Sequence, residues 1–321
     1  MKIDKTEVEE AILKACKGHM KKSEVKNMLL NKERNIEYIY NIIKNNTYFS
    51  EIKFIKLEKI NKNGKKRKIN APSLVTRILE YVFIFKAINI YNKIDNKVGL
   101  NCKAGCGLNA KRKENSVYHR MKHLYYDRRD LSYILSIDQR QCYNHCTPKV
   151  FRKEALKIGI DKDIIDFGIN VSFIDNKLPI GTPASPLIHH IMMYMFDEWI
   201  DNEFEWCIRD ADNVAIGCSD KAKANEAKWR IKNYWWYELG IRANSKDTLI
   251  KPIDNSPLDF CGGVFYRNIG KNTNSHNKGF AVSRKRLIRA AKSSTEKNWS
   301  CYYGQLSSLD NFKIIEKIKN K

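Results

Sequence analysis

The stretch "RDADNVAIG", Arg209 to Gly217, decides how this chain is read. Short apolar segments, "FEWCI" before the acids and "NVAIGC" after them, flank a turn, which predicts a β-hairpin. Asp210 and Asp212 stand two apart, and the amide Asn213 follows. The turn is either an ordinary acidic connection between two strands or half of a metal site. A metal site needs further oxygen ligands from elsewhere in the chain.

Asp138 is the candidate partner, because it ends the apolar run "LSYILSID". A short apolar run of this kind is typical of a buried strand. If this strand and the hairpin are neighbours, the carboxylates of Asp138 and Asp212 converge, and they repel each other unless a divalent cation lies between them. Two Mg²⁺ ions held in this way stabilise the attacking and leaving oxygens in nucleotidyl transfer. On spacing alone, the alternative that each acid only caps its own turn stays open.

The charge balance points to a polyanionic partner. The 321 residues include 59 Lys and Arg against 36 Asp and Glu, a formal net charge of +23. Such a surplus repels itself and favours nucleic-acid binding. An AT-rich genome would also enrich lysine, but arginine clusters too: Arg67, Arg77, Arg112, Arg120, Arg128 and Arg129. A hydrophobic content of 43% excludes global disorder.

Membrane and metal-finger classes are not supported by the sequence. The amphipathic N-terminus has no signal-peptide core, and the most apolar run, "LEYVFIFKAINIY", is too short to span a bilayer. We therefore expect a cytoplasmic protein that does not contact a membrane. Nine cysteines indicate reduced thiols. The pairs Cys102/Cys106 and Cys142/Cys146 lack the spacing and companion ligands of a zinc site.

The order of periodic segments predicts an α+β fold. Helical periodicity covers about the first 45 residues, and "IKFIKLEKINKNGKKRKINAP" predicts a hairpin around Asn63-Gly64. Helices are predicted at 73–91, 148–158, 161–172 and 220–237 and over "LIHHIMMYMFDEWIDNEF". Strands are predicted at "LSYILSID", at both arms of the "RDADNVAIG" hairpin, at "IRANSKDTLI" and at "LDFCGGVFY". Such an order, with an antiparallel element at the acidic turn, is typical of the α+β class.

Three motifs in one order resemble a known family: "SIDQRQCYNH", "LPIGTPASP" and "RDADNVAIG". Together they resemble the right-hand-shaped reverse transcriptases of bacteria and phages. The resemblance implies that Asp138, Asp212 and Asn213 ligate two Mg²⁺ ions, with Mn²⁺ as an alternative, and that Asp138, Asp212, Asn213 and Lys246 are catalytic. It implies that Tyr143 abuts the sugar 2′ position and disfavours ribonucleotides.

Further segments extend the resemblance from about Ile52 to Arg267. "GKKRKINAP" resembles the fingers region that grips the incoming triphosphate, and "KAGCGLNA" resembles the basic loop before the palm. The implied dNTP-binding residues are Lys66, Arg67, Lys68, Arg77, Tyr143, Ile180 and Gly181. The implied template and primer residues are Pro183, Ser185, Phe260, Cys261 and Gly262. In "GIRANSKDTLI", the implied general acid to pyrophosphate is Lys246. Each of these residues also has an ordinary structural reading, such as a solvated basic hairpin tip or a core aromatic.

The sequence departs from the family at the acidic turn. Asp210 stands where the family has tyrosine, and Asn213 stands where it has a second aspartate. Asn213 still offers a carbonyl oxygen but removes one negative charge, so metal affinity should fall. Asp210 would restore this charge only if it shared a face with Asp212. That requires the strand to stay regular through Ala211. An engineered Asp→Asn change at position 213 is an alternative origin of this asparagine.

The "LPIGTPASP" motif departs as well. Ile180 replaces the usual glutamine, as in the mutagenic enzymes of diversity-generating retroelements. Pro186 follows Ser185, as in retron and intron enzymes. The subfamily therefore stays open between a diversity-generating retroelement and an antiphage defence system.

The resulting prediction is a right-hand polymerase with fingers, an antiparallel palm sheet and a small helical thumb. The predicted ranges are an N-terminal helical extension at 1–50, fingers at 51–130, a palm at 131–267 with a fingers insertion at about 148–180, and a thumb at 268–321. The predicted function is RNA-directed DNA polymerisation on an RNA template, such as a dedicated non-coding RNA, with a DNA product and a protein partner or oligomer. The alternatives are a catalytically inactive RNA-binding scaffold for an active partner and a template-independent nucleotide polymerase.

Overall fold

The structure is a computed structural model that describes residues 1–60, 66–98, 117–254, 256–261, 263–267 and 280–282. Within these residues the α-helices are α1 (Lys5–Cys16), α2 (Ser23–Leu30), α3 (Lys32–Lys44), α4 (Leu74–Val98), α5 (Val117–Tyr126), α6 (Cys142–His145), α7 (Pro148–Lys157), α8 (Lys162–Ser172), α9 (Ala184–Glu203) and α10 (Lys221–Leu239). A 3₁₀ turn covers Tyr48–Glu51.

The strands are β1 (Phe54–Ile60), β2 (Lys66–Pro72), β3 (Tyr133–Asp138), β4 (Cys207–Asp210), β5 (Asn213–Cys218), β6 (Leu249–Pro252), β7 (Leu258–Phe260), β8 (Gly263–Phe265) and β9 (Phe280–Val282). They form a β1-β2 hairpin, a sheet with the order β4-β5-β3-β6, and a sheet with the order β7-β8-β9. Every named pair is antiparallel. The described residues thus form a mixed α/β structure with antiparallel sheets.

The chain divides into two compact units, each formed by segments that are distant in sequence. One consists of Met1–Leu100, Gln141–Phe196 and Tyr237–Ile241. The other consists of Asn101–Arg140, Asp197–Trp236 and Arg242–Lys321. We call them the helical unit and the sheet unit, because the second contains the four-stranded sheet. The predicted boundaries of fingers, palm and thumb stay predictions.

The sheet unit has a core in which α5 and strands of both sheets meet. Apolar side chains from β3, β4 and β5 pack with those of α5 and of the β7–β8 hairpin. The buried members of this cluster include Met121, Leu124, Tyr125, Leu131, Ile134, Trp206, Ile208, Ala215, Ile253, Leu258, Phe260 and Phe265. Fully burying each large aliphatic side chain contributes about 1.5–3 kcal/mol. This burial fixes the strand order, so it also fixes which strand ends lie side by side.

The helical unit begins with a capped helix. The Asp4 side chain accepts from the Glu7 backbone N–H at 2.8 Å, and the Glu7 carboxylate accepts from the Asp4 N–H at 3.0 Å. This reciprocal pair satisfies two donors that a helix start otherwise leaves open. Helix α4 packs against α1 and α8. Gly168 of α8 lies against the Phe83 ring, where any side chain would collide.

Most predicted elements are present. The hairpin ends at Pro72 as expected, although its predicted tip, Asn63-Gly64, lies outside the described residues. The helix predicted for 73–91 extends to Val98. In "IRANSKDTLI" only the last residues form a strand, because the segment from Ala243 to Thr248 is a turn held by the Asn244 side chain.

Two predicted features fall where little of the chain is described. The basic loop "KAGCGLNA" lies outside the described residues, and so does the predicted thumb apart from β9. None of the helices among the described residues is sufficiently long and apolar for a transmembrane segment.

Candidate active site

Strand β3 and the β4–β5 hairpin bring the acidic motifs together inside the sheet unit. Asp138 at the end of β3 pairs directly with Asn213 at the start of β5. Just beyond that pair, the backbone N–H of Gln139 donates to the Asp212 carbonyl at 3.0 Å. The prediction that these two strands are neighbours is confirmed. The ends of both strands, and hence Asp138 and Asp212, therefore lie at one edge of the sheet.

The turn of the hairpin consists of Ala211 and Asp212. Ala211 has a left-handed backbone with φ 53°, a conformation that costs a residue with a Cβ about 1–2 kcal/mol. The strand is therefore not regular through Ala211, and the condition under which Asp210 shares a face with Asp212 is not met. Instead Asp210 pairs with Asn213 across the hairpin. Directly paired residues lie on the same face, so Asp210, Asn213 and Asp138 form one row across three strands.

A buried ion pair holds this turn from below. The Arg209 guanidinium is completely buried and donates from Nε and Nη2 to the two carboxylate oxygens of Asp197 on α9, each at 2.5 Å. Its Nη1 donates to the Ala211 carbonyl at 2.9 Å. A charge at this depth requires such pairing. Arg209 thus connects a helix to the backbone of the turn that carries Asp212.

Sequence analysis did not identify the Arg209–Asp197 pair. The available signal was an arginine inside the apolar strand "CIRD" and an aspartate inside the apolar helix "IMMYMFDEW". Charged residues at apolar positions are almost never fully buried without a partner. Each residue therefore indicated that it has a charged partner, although the sequence does not show which residue that partner is.

Asn244 holds Asp138 from the other side. Its backbone N–H donates to the Asp138 carbonyl at 2.7 Å, and its Nδ2 donates to Asp138 Oδ2 at 3.2 Å. The same Nδ2 also donates to Asp247 Oδ2. The Asn244 Oδ1 accepts from the Lys246 N–H at 3.3 Å, which closes a tight turn. Asn244 and Asp247 were both missed by sequence analysis, which read this segment as a regular strand.

The electrostatic environment leaves Asp138 under-neutralised. Burial, together with the negative charges of Asp212 and then Asp247, raises the pKa of Asp138 to about 6, and the Asn244 hydrogen bond opposes this rise. A carboxylate whose pKa is raised by neighbouring carboxylates marks a place where a cation would be stabilised.

The donor set is compatible with Mg²⁺. Asp138 and Asp212 offer carboxylate oxygens, and Asn213 offers an amide oxygen while its Nδ2 donates to Asp212 Oδ1 at 3.1 Å. Hard cations of this kind bind oxygen ligands. In the part of the chain that the structure describes, no group of three or more His, Cys, Asp or Glu forms a metal cluster. The site therefore has two carboxylates and an amide at its centre.

Lys246 lies in the Asn244 turn, exposed to solvent. Its predicted role as general acid stays a prediction.

The predicted triphosphate residues belong to the helical unit. Lys66, Arg67 and Lys68 are exposed on β2, and Lys66 Nζ lies 3.9 Å from the Glu58 carboxylate. Arg77 is half-buried on α4, where its charge lowers the raised pKa values of Glu80 and Tyr81. These geometries leave the triphosphate role of the four residues a prediction.

The "LPIGTPASP" turn is fastened to β2 within that unit. The Asn70 N–H donates to the Ile180 carbonyl at 3.0 Å, while the Ile180 side chain is 38% exposed. Gly181 has φ 102°, and a Cβ there would run into Ile69. The structure therefore brings Ile180 and Gly181 together with β2, which carries Arg67. Pro183 is half-buried two residues further on.

Beneath this turn lies a buried polar network that the sequence did not reveal. The Ser185 hydroxyl donates to the Pro179 carbonyl at 2.6 Å and lies 2.8 Å from the Thr182 hydroxyl. Burial raises the pKa of Glu80 well above its usual value, and the nearby Thr182 side chain and the charge of Arg77 oppose the rise. Ser185, a predicted template residue, is therefore buried and supports the turn.

Two further predicted residues are described. The Tyr143 carbonyl accepts from the Leu178 N–H at 3.2 Å, and its ring meets His189 edge-on at 5.9 Å. Phe260 and Cys261 occupy the predicted β7–β8 hairpin, with Phe260 in the core and Cys261 at the turn with φ 49°. Gly262 lies outside the described residues. The sugar, template and primer roles of these residues stay predictions.

Comparison with known proteins gives limited likeness. No family model matches the sequence, and no curated protein matches it significantly. Among solved structures, apo telomerase from Candida tropicalis truncated from its C-terminal domain is 15% identical, with 68% of this chain and 53% of that chain covered and a TM-score of 0.47. Telomerase from Candida albicans in complex with a TWJ fragment of telomeric RNA is 11% identical, with 77% and 52% covered and a TM-score of 0.48.

Telomerase from Candida tropicalis with a TWJ fragment of telomeric RNA is 13% identical, with 88% of this chain and 56% of that chain covered and a TM-score of 0.44. The chain spans about half the length of these solved chains. Because each TM-score is below 0.5, these likenesses carry no weight in the proposals that follow.

Proposed function

We propose that the protein is a nucleotidyltransferase that adds dNTPs on an RNA template, with Asp138 and Asp212 as its central metal ligands. The observation that carries this proposal is the pairing of Asp138 with Asn213, which sets two strand-end carboxylates at one sheet edge. The raised pKa of Asp138 supports it, because Asp212 and Asp247 both contribute to the rise. Ordinary turn-capping acids have no reason to be held against one another in this way.

The residues divide the work as follows. Asp138 and Asp212 would hold two Mg²⁺ ions, with Mn²⁺ as an alternative, and Asn213 would add its amide oxygen. When bound, Mg²⁺ neutralises the carboxylates and stabilises charge on the attacking and leaving oxygens. Asn244 keeps the Asp138 carboxylate oriented, and Arg209 holds the turn that presents Asp212. Lys246, exposed in the Asn244 turn, donates a proton to the leaving pyrophosphate.

The nucleotide is assigned to residues that the family resemblance implies. Lys66, Arg67, Lys68 and Arg77 bind its triphosphate, Tyr143 excludes ribonucleotides, and Ile180 with Gly181 completes the dNTP site. Pro183, Ser185, Phe260, Cys261 and Gly262 support the template and primer. The hydrogen bond from Asn70 to Ile180 supports this assignment, since it ties the β2 segment to the "LPIGTPASP" turn. Changing Tyr143 to alanine should let ribonucleotides compete better.

A second candidate function rests on Asn213. Its Nδ2 donates to Asp212 Oδ1, so the amide both removes a charge and engages a carboxylate oxygen that a cation would use. A protein with this substitution could serve as an RNA-binding scaffold for an active partner without polymerising. Template-independent addition by the same site is a variant of the first proposal. Both proposals include RNA as a partner, and we place the protein in antiphage defence or a diversity-generating retroelement.

Primer extension tests the proposal. The purified protein is given a primed RNA template, Mg²⁺ and labelled dNTPs, beside Asp138→Ala and the matched control Asp220→Ala. Asp220 also follows a strand, but its carboxylate caps α10 by accepting from the Lys223 N–H at 2.8 Å and accepts from the Ser219 hydroxyl at 3.0 Å. We expect incorporation by the wild type and Asp220→Ala, and none by Asp138→Ala.

The outcomes separate the candidates. Equal incorporation by the wild type and Asp138→Ala ends the enzymatic proposal. If the wild type incorporates no dNTPs and Asn213→Asp does, the scaffold is favoured, because the missing charge at position 213 then accounts for the inactivity. Addition that persists without template identifies the template-independent variant.

A further inference from the structure

An exposed aromatic face runs along α10 in the sheet unit. Ala224, Ala227, Ile231 and Trp235 of this helix are buried, as expected for its inner face. On the outer face, Trp229 is 65% exposed and Trp236 is 46% exposed. Exposed tryptophans of this extent are unusual, because such apolar area is normally removed from water.

The two exposed rings lie on the same side of the helix. They are seven residues apart, which is two helical turns and about 10 Å along the axis. Lys232 lies between them on the same face and is exposed, while the half-buried Lys228 lies at the border of this face, one residue before Trp229. We call this set, Lys228, Trp229, Lys232, Trp236 and Arg242, the α10 stripe.

The stripe contains three basic side chains, and the nearby carboxylate of Glu226, three residues before Trp229, lies 3.9 Å from Arg230 Nη1. Among the described residues, no carboxylate forms an ion pair with Lys228 or Lys232, and Lys228 Nζ contacts only an amide oxygen, Asn225 Oδ1 at 3.3 Å. The Arg242 guanidinium lies over the Trp236 ring, 4.8 Å from its centroid. This cation–π contact presents a flat ring with a fixed positive charge beside it.

The stripe is also connected to the candidate active site. The Arg242 carbonyl accepts from the Arg140 N–H at 2.8 Å, and Ala243 forms a β-bridge with Gln139. Gln139 directly follows Asp138. A nucleic-acid strand bound along the stripe would therefore approach the end of β3, and the residues that connect the two places belong to the same unit.

We propose that the α10 stripe binds a single-stranded segment of RNA, with unpaired bases stacked on Trp229 and Trp236 and phosphates contacting Lys228, Lys232 and Arg242. Aromatic platforms interleaved with basic side chains are the general means of binding single strands without sequence preference. The overall charge of +23 supports a polyanion over a neutral or basic protein surface. A duplex is disfavoured because its bases are already stacked. The proposal extends the proposed function by locating RNA, but it needs no catalysis.

Fluorescence anisotropy of a labelled oligouridine of roughly 12 nucleotides tests this on the full chain, in EDTA and without dNTPs. We expect Trp229→Ala and Trp236→Ala each to weaken binding about tenfold, the effect of losing one stacked base. Trp229→Phe and Trp236→Phe should stay close to wild type, since they keep a ring. Lys232→Glu should weaken binding and flatten its salt dependence.

Matched controls come from the other unit. Leu30→Ala removes a side chain that is 81% exposed, and Lys26→Glu inverts an exposed lysine, both on α2. Both should bind as the wild type does, and circular dichroism should show that every variant is folded. Asp138→Ala should keep full affinity for RNA while losing dNTP addition, which separates this proposal from the proposed function.

Several results would overturn the proposal. Wild-type affinity in both tryptophan variants would show that RNA does not stack there. Equal weakening in Lys26→Glu would show that binding is only a diffuse effect of net charge. Tighter binding of oligothymidine or of a matched RNA duplex would show that the stripe binds single-stranded DNA or duplex RNA instead. If the tryptophan variants change self-association in light scattering but not RNA affinity, the stripe is a protein interface.

Discussion

Asn244 engages Asp138 at two points, through a backbone hydrogen bond of 2.7 Å and a side-chain hydrogen bond of 3.2 Å. Its Nδ2 is shared between Asp138 and Asp247. One amide therefore partly offsets the repulsion between two carboxylates and fixes the orientation of the one at the end of β3. Positioning of this kind is what a two-carboxylate metal site requires, since it has few ligands to define its geometry.

Removal of the Asn244 amide should weaken the site. We expect Asn244→Ala to lower the free energy of unfolding by about 1–2 kcal/mol and to reduce the stabilisation that Mg²⁺ confers. The measurement is thermal unfolding over a Mg²⁺ titration. The matched control is Asn41→Ala, whose exposed amide also donates to a carboxylate, Glu37 at 3.2 Å. An equal loss of Mg²⁺ response in both variants would contradict a positioning role.

The raised pKa of Asp138 predicts a pH dependence of stability. The folded protein keeps a proton on Asp138 up to about pH 6, whereas an unperturbed aspartate releases it at 3.8. Stability from this group is therefore present below about pH 4 and is lost as the pH rises through 6. Asp138→Asn removes the titration. In urea denaturation without Mg²⁺, the free energy of unfolding of the variant should therefore rise relative to that of the wild type between pH 4 and 7.

Mg²⁺ should reverse this loss in the wild type alone. Because protons and Mg²⁺ compete for the same carboxylate, the thermal shift with Mg²⁺ should be larger at pH 8 than at pH 5. A difference between Asp138→Asn and the wild type that stays constant with pH would show that folding does not raise the pKa of Asp138.

The buried pair Arg209–Asp197 predicts strong coupling. Arg209→Met or Asp197→Leu alone leaves an uncompensated buried charge and should cost about 3–5 kcal/mol, whereas the double variant should cost clearly less than their sum. Lys5→Met is the control, because the Lys5–Glu37 pair is exposed to solvent and its loss should change the free energy of unfolding little. Chemical denaturation of the four proteins measures the cycle, and additive losses would contradict it.

The double variant also separates stability from positioning. It regains packing but lacks the guanidinium that donates to the Ala211 carbonyl. We therefore expect its Mg²⁺ response to stay reduced even where its stability recovers. A full Mg²⁺ response would show that the turn carrying Asp212 holds its shape without Arg209.

The sequence predicted what local patterns determine. Short apolar runs that end in acids located β3 and the β4–β5 hairpin, and hence the pairing of Asp138 with the acidic turn. It missed Arg209, Asp197 and Asn244 because their roles depend on hydrogen bonds across many residues. Arg209 in "CIRD" reads as an outward-facing charge until its partner on α9 is known. Asn244 reads as part of a strand until its side chain is seen to close a turn.

Substitution of Gly181 tests how the "LPIGTPASP" turn packs against β2. Gly181 and Gly159 both have positive φ, 102° and 81°, but only Gly181 faces another side chain, Ile69 of β2. Gly159→Ala should therefore cost about 1–2 kcal/mol from backbone strain alone. Gly181→Ala should cost about 1–3 kcal/mol more from the collision, and Ile69→Ala in the same chain should recover part of that difference. Denaturation of the three variants measures these terms. Equal losses at the two glycines would show that the turn needs glycine for its backbone conformation and not for its approach to β2.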